Sequence, residues 1–147
     1  MDRTHNPEFT VMEIYVAYKD YNWMMDFTEK LLEKACIALN GTTEIEYGQH
    51  KVSFKAPFPR VPMLHAIKEH TGVDITGMDE DQLRKVCTDL GVPVEDSMGK
   101  GKLIDEIFGE KCEGHYIQPT FITDYPVEMS PLTKKHRSKE GLVERFE

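Results

Sequence analysis

The sequence has 147 residues, of which 39% are hydrophobic and 30% charged, and its net charge is −8 at pH 7. These proportions are typical of a globular protein and argue against a disordered chain. No run approaches the roughly 18 apolar residues that a membrane-spanning helix needs, and the acidic balance argues against a nucleic-acid surface spread over the whole chain.

Three cysteines, at positions 36, 87 and 112, are widely spaced and form no CxxC pair. This pattern indicates neither a disulfide framework nor a zinc site, so we expect reduced thiols that act as small core residues. The N-terminus lacks the apolar segment of a signal peptide. The cytoplasm is therefore the expected compartment.

The first predicted element is a strand over residues 9–18, where β-branched and aromatic residues dominate. With a period of two, both faces are apolar, which is typical of a central strand. A single carboxylate, Glu13, interrupts one face. Burying a carboxylate without a partner is costly, so this residue requires a cation.

A helix follows over residues 22–39, with Asn22 as its predicted N-cap and Asn40-Gly41 at its end. Alternating residues 44–47 and 51–54, which flank Gly48-Gln49, predict a hairpin. Three prolines between positions 57 and 62 then interrupt regular structure.

Residues 59–115 predict a helical insertion with helices over 63–70, 79–90 and 100–113. Asp79 and Gln82 form a candidate capping pair, and Gly99-Lys100-Gly101-Lys102 is interpreted as a helix start because it lacks phosphate-loop spacing. Strands are predicted again near residues 119–123 and at 143–147. Between them the basic run 134–139 is interpreted as a solvated loop in preference to an RNA contact.

The predicted organisation is therefore two β-rich segments, residues 1–58 and 116–147, separated by the helical insertion 59–115. A central strand within ten residues of the N-terminus and a strand in the last five residues would both need partners. Truncation of a larger domain would explain both features, and we expect it.

Two separated strings resemble one family. The first is HNPEFT at residues 5–10 leading into MEIYVAY at 12–18, and it is similar to the loop and second strand of motif 2 in class II aminoacyl-tRNA synthetases that charge lysine, aspartate or asparagine. The second, IQPTFITDYPVEMSPL at 117–132 followed by ERFE at 144–147, resembles the segment leading to motif 3. The continuation with Glu13, Tyr15, Ala17 and Tyr18 matches the lysine form. The resemblance covers essentially the whole chain.

The resemblance implies an α+β fold, with a partial antiparallel sheet, flanking helices and a helical insertion. It also implies that Glu13 and Tyr15 bind the lysine ammonium. On the residues alone, the competing interpretation is that Glu13 pairs with an arginine or lysine of a neighbouring strand. A pocket with a buried carboxylate can reject uncharged analogues by something like 10⁴-fold, because the carboxylate would otherwise stay unpaired.

By position in the family, His5 and Asn6 would lie beside ATP, Phe9 would stack on adenine, and Glu147 would be the first of two acids that hold Mg²⁺. The implied reaction is activation of lysine with ATP to lysyl-adenylate, followed by transfer to tRNA(Lys). The family also implies a homodimer for the full-length enzyme and no membrane association.

The motif 2 arginine, motif 1, the second magnesium acid and the motif 3 arginine have no counterpart in the sequence, so we expect the isolated chain to be inactive. Three alternatives stay open. One is a synthetase-like lysine ligase that modifies elongation factor P, against which the helical insertion counts. Another is a non-enzymatic fragment that associates with itself, and the third is an aspartyl or asparaginyl enzyme.

Overall fold

The computed structural model describes residues 6–147. Residues 6–20 form neither helix nor strand and are almost entirely exposed. The predicted central strand over residues 9–18 is therefore wrong for this chain. Its composition favours a strand, but a strand needs a neighbour to accept and donate its backbone hydrogen bonds, and no other described segment makes backbone hydrogen bonds with residues 9–18. We refer to residues 9–18 as the apolar ribbon.

Helix α1 spans Tyr21–Asn40 and ends at Gly41, which has the left-handed φ of 72° that glycine adopts freely. Its N-cap is Asp20, whose side chain accepts a hydrogen bond from the backbone N–H of Trp23. The predicted cap, Asn22, is instead inside the helix. The cap lies two residues earlier than predicted because Asp20 has the extended backbone that a cap requires.

The hairpin is confirmed. Strand β1 is Glu44–Tyr47, strand β2 is His50–Ser53, and they pair antiparallel around Gly48, whose φ is 60°. The hairpin forms a sheet of its own, separate from the other strands.

The three predicted helices of the insertion are present as α2 (Met63–Thr71), α3 (Glu80–Leu90) and α4 (Lys100–Lys111). A 3-10 helix, Glu113–His115, follows α4. Asp79 and Gln82 form the predicted capping box, in which each side chain bonds to the backbone of the other residue. Gly99 caps α4, so the glycine- and lysine-rich run is a helix start, as expected.

The main sheet contains β3 (Arg60–Pro62), β4 (Phe121–Pro126) and β5 (Leu142–Phe146). Strand β4 lies in the centre, parallel to β3 and antiparallel to β5. An irregularity between Thr123 and Tyr125 interrupts the β4–β5 register at Asp124, whose φ is 57°. The α+β class is confirmed, and the sheet is mixed because β3 runs parallel to β4.

The helices α2, α3 and α4 share one hydrophobic core with β4 and β5, since Ile67, Leu83 and Leu103 belong to the same cluster of buried side chains as Tyr125 and Val143. A smaller cluster of Met25, Phe58 and Phe121 joins α1 to the sheet. The division of the chain at residues 58 and 115 stays a prediction. Among residues 6–147, no helix is both long and apolar enough to cross a membrane.

Candidate functional site

Glu13 and Tyr15 lie side by side on the apolar ribbon. The Tyr15 hydroxyl donates a hydrogen bond to Glu13 Oε2 at 3.1 Å. Both residues are exposed, Tyr15 to 88%. The carboxylate is thus next to the phenol that the sequence pairs with it, but it is solvated, and no Lys or Arg among residues 6–147 forms an ion pair with it. Its role in lysine recognition stays a prediction.

Of the nucleotide-binding residues predicted from the sequence, Phe9 begins the apolar ribbon, and His5 and Asn6 precede it in the sequence. His5 lies outside the described residues. Asn6 is exposed, and the Phe9 ring is 77% exposed, so its face is free to stack on a planar ligand. The structure brings Phe9, Glu13 and Tyr15 onto one continuous ribbon without enclosing them.

Glu147 continues the β5 ladder beyond Phe146, because its backbone N–H and C=O pair with Ile122 at 3.0 and 2.9 Å. Its side chain accepts hydrogen bonds from Arg145 and from the Tyr125 hydroxyl, the latter at 3.3 Å. Within residues 6–147, no group of three or more His, Cys, Asp or Glu side chains is arranged to hold a metal ion. Glu147 therefore offers a single carboxylate.

A cleft of about 400 Å³ separates the end of the apolar ribbon from β5, with Val16 on one wall and Glu144 and Arg145 on the other. It is where the first string of residues singled out in the sequence meets the second. Arg137 bridges the two walls, since it donates to Asp20 at 3.0 Å and to Glu144 at 3.0 Å. The hydrogen bond from Arg137 lowers the pKa of the Glu144 carboxyl.

The sequence did not single out Asp124, which is only 4% exposed and is the hub of a polar cluster. The Tyr21 hydroxyl donates to its Oδ1 at 3.2 Å, Lys139 donates to its Oδ2, and His136 Nε2 lies 3.6 Å from Oδ1. The predicted loop is confirmed and most of the run 134–139 is exposed, but the His136 side chain is only 7% exposed. His136 departs from the prediction because a buried carboxylate recruits cationic and hydrogen-bonding groups.

The only sequence signal for this cluster was an acid inside an otherwise apolar strand. Its partners lie 15 and 103 residues away along the chain, at Lys139 and Tyr21. The cluster ties the start of α1 and the loop 133–141 to the sheet, and so fixes two walls of the cleft.

With this geometry established, comparison with known proteins identifies the family. The family model described as tRNA synthetases class II (D, K and N) matches residues 1–147. The chain therefore belongs to the class II tRNA synthetases.

Three individual relatives all bear the name of one amino-acid-specific enzyme within this family. Over all 147 residues the chain is 68% identical to a protein of Porphyromonas gingivalis named Lysine–tRNA ligase, of which it covers 25%. It is 66% identical to the protein of the same name from Christiangramia forsetii, covering 26%, and 58% identical to that of Azobacteroides pseudotrichonymphae, covering 29%. The whole of this chain is aligned in each case. It spans about a quarter of the length of these relatives.

Proposed function

We propose that residues 1–147 are part of the catalytic domain of a lysine–tRNA ligase, which activates lysine with ATP to lysyl-adenylate and then transfers the lysyl group to tRNA(Lys). The observation that carries the proposal is that relatives 58–68% identical along the entire chain bear this name. The Glu13–Tyr15 pair adds chemistry suited to lysine, because it offers an anion and a hydroxyl to an ammonium group.

Glu13 would bind the lysine ε-ammonium, with the Tyr15 hydroxyl as a second contact. To select lysine over a neutral analogue, the Glu13–Tyr15 pair must be shielded from water. An exposed carboxylate stays hydrated, so little binding free energy is lost when a neutral analogue takes the place of lysine. Further segments of a longer polypeptide would supply that cover. The apolar residues around Glu13 support this proposal, because Val11 and Met12 are 67% and 69% exposed and are suited to burial.

ATP would bind at the start of the apolar ribbon and to the residues that precede it. His5 and Asn6 would contact the nucleotide, and Phe9 would stack on adenine, a type of contact worth roughly 1–3 kcal/mol when bases stack on aromatic side chains. The exposure of the Phe9 ring supports this role. In the proposed reaction, these residues and Glu13 would align the lysine carboxylate with the α-phosphorus, and alignment of reactants is itself a large source of rate enhancement.

Glu147 is proposed as a magnesium ligand. Glu147 lines a second cleft, of about 330 Å³, together with Tyr125 and Arg145. Mg²⁺ usually binds proteins through one or two carboxylates together with substrate phosphates and water, so a single carboxylate in this cleft fits in kind. When bound, the ion would offset phosphate charge. Glu147 would contribute one oxygen ligand, while Arg145 and Tyr125 orient its carboxyl group.

The substrate assignment is tested by Glu13→Gln in the longest natural polypeptide that contains this segment. We expect KM for lysine in ATP–pyrophosphate exchange to rise at least 100-fold, because loss of a desolvated charge partner costs several kcal/mol, while KM for ATP changes little. Glu46→Gln, on the exposed hairpin strand β1, is the matched control. Unchanged lysine dependence in Glu13→Gln would refute the assignment.

We further propose that the isolated chain is inactive, because the described residues leave the ribbon uncovered. Its lysine-dependent exchange should be at background. In the longer protein, a second subunit and tRNA(Lys) would be partners, and the cytoplasm would be the compartment.

Self-association of the fragment is a second candidate property, favoured by exposed apolar residues on the ribbon and on α1, where Leu39 is 85% exposed. Sizing chromatography distinguishes it: a monomer that elutes as such across a range of concentrations excludes this property.

A further inference from the structure

Both oxygens of the Glu147 carboxylate are held by neighbours. Arg145 donates to Oε1 and the Tyr125 hydroxyl donates to Oε2 at 3.3 Å. Tyr125 is only 3% exposed, so its hydroxyl is a fixed donor. Although the Glu147 side chain is 59% exposed, these two donors give its carboxylate a defined orientation.

Arg145 is fixed in turn. Its guanidinium lies 4.5 Å from the centre of the Tyr125 ring, and it donates to the hydroxyl of Ser130 and to the carbonyl of Met129. Ser130 is 7% exposed. These contacts anchor the arginine to the turn formed by Val127–Met129, so the position of that turn determines where Arg145 meets Glu147.

The same turn is packed against the start of helix α4. A Cβ added at Gly101 would lie 2.7 Å from the carbonyl oxygen of Glu128 and 2.9 Å from its carbonyl carbon. Both atoms belong to the backbone, so the turn would have to move to admit even a methyl group. Lys100 adds an ion pair to Glu128 at 2.8 Å. Helix α4 and the turn are thus in direct backbone contact.

We infer that helix α4 positions the Glu147 carboxylate, through its close contact at Gly101 with the turn Val127–Met129 and through the arginine that this turn anchors. Gly101 and Arg145 are positioning residues. The inference rests on the proposed function, because it assigns to the helical insertion a role in presenting the proposed magnesium ligand.

The physical basis is the strict geometry of Mg²⁺. The ion requires nearly ideal octahedral coordination at about 2.0–2.1 Å, so a small rotation of one carboxylate weakens its binding. Residues that orient a ligand without touching the metal typically change metal affinity 10–100-fold when they are replaced. A turn displaced by several tenths of an ångström at Glu128 would be transmitted to Glu147 through Arg145.

The experiment uses the longest natural polypeptide that contains this segment and compares Gly101→Ala with Gly109→Ala. Both glycines are in α4, but a Cβ at Gly109 meets only a side-chain oxygen at 3.9 Å. Binding is measured by electron paramagnetic resonance titration of Mn²⁺ with a non-hydrolysable ATP analogue, and the Mg²⁺ concentration for half-maximal exchange is measured in parallel.

We expect Gly101→Ala and Arg145→Gln to weaken metal binding about 10-fold, with KM for lysine within about twofold of the parent. Gly109→Ala should match the parent, and Arg145→Lys, which keeps the charge without the forked geometry, should restore binding only in part. Lys100→Ala removes the ion pair with Glu128 without adding volume, and we expect it to weaken metal binding by a smaller factor. This variant replaces Gly101→Ala as the test if Gly101→Ala does not fold.

Glu147→Gln distinguishes the proposed magnesium role of Glu147 from its positioning by helix α4. If it leaves Mn²⁺ binding unchanged, the proposed magnesium role of Glu147 is wrong. If it weakens binding while folded Gly101→Ala, Arg145→Gln and Lys100→Ala all bind Mn²⁺ like the parent, the role of Glu147 stands and the positioning by α4 is overturned.

Discussion

Asp124 has an unfavourable backbone conformation and a buried charge, and contacts with its neighbours offset the free energy of both. Its backbone has a φ of 57°, which is unfavourable for residues other than glycine, asparagine and aspartate, and its carboxylate is buried. The irregularity in the β4–β5 ladder turns the side chain towards Tyr21 and Lys139. Such irregularities in sheets commonly re-aim a side chain, and here the result is a link between three segments of the chain.

Asp124→Ala should therefore destabilise the chain by about 3 kcal/mol, because it removes the buried carboxylate to which Lys139 and Tyr21 donate, and because alanine tolerates positive φ less well than aspartate. Asp124→Asn keeps the hydrogen-bonding shape and the tolerance of positive φ, and should cost about 1 kcal/mol less. Urea unfolding measures both changes, with Asp89→Asn on the exposed face of α3 as control. Equal losses for Ala and Asn would contradict the backbone contribution.

Glu144 predicts an acid-sensitive contribution to stability. Its hydrogen bonds from Arg137 hold its pKa in the folded chain below the ordinary value of 4.5. A carboxyl with a lowered pKa contributes stability that is complete above its unfolded pKa and is lost as the pH falls through the folded pKa. Stability should thus decline below about pH 5, and Glu144→Gln should reduce the slope of that decline.

The measurement for Glu144 is the free energy of unfolding as a function of pH. Glu110→Gln, at an exposed position of α4, should keep the slope of the parent. A parent and a Glu144→Gln variant with identical slopes between pH 5 and 3 would show that this pair contributes nothing to acid sensitivity.

The helices were predictable because their signals are local. The capping box of α3 and the glycine that ends α1 lie within a few residues of the turns that they stabilise. Strand β3 was missed, since its three residues end in a proline and are paired only through β4, sixty residues further along the chain. The ribbon shows the reverse error, because strand composition without a neighbour gives no strand.

The lack of backbone pairing along the apolar ribbon predicts fast hydrogen exchange. In the chain of residues 1–147, backbone amides 9–18 should exchange with solvent at nearly intrinsic rates, because no ladder protects them. The amides of α2 and α4 should exchange far more slowly. Hydrogen exchange detected by mass spectrometry makes the comparison, and the longer polypeptide is the control, in which the ribbon should gain protection. Strong protection of the ribbon in the short chain would contradict the prediction.

The resemblance of two separated strings to one family of synthetases indicated the family of this chain, while the contacts between distant segments did not follow from the sequence. The cluster around Asp124 and the chain of contacts from Gly101 to Glu147 depend on how distant residues pack. The resemblance pointed to Glu13 and Tyr15 as a pair, and the structure places them in contact. A pocket beside Glu13 and Tyr15 needs walls from other segments, and the sequence pattern of the ribbon carries no information about those walls.

The shared core predicts cooperative behaviour. Leu103 is fully buried in α4, so Leu103→Ala should destabilise the chain by about 2–5 kcal/mol. Because β4 belongs to the same core, protection of its amides should fall together with that of α4. Leu39→Ala, at an exposed position of α1, should change stability by less than about 0.5 kcal/mol. Loss of protection confined to residues 59–115 would instead favour an independent insertion.

The three buried cysteines follow this same packing and have a practical consequence. Cys87 and Cys112 are inaccessible on α3 and at the end of α4, whereas Cys36 lies on α1 with 7% exposure. Burial raises the pKa of the Cys112 thiol to about 11, so at neutral pH it reacts slowly even when a reagent reaches it. The rate at which a reagent labels each thiol therefore measures how often the surrounding part of the protein opens. The native cysteines suffice for this measurement, so no engineered probe is needed.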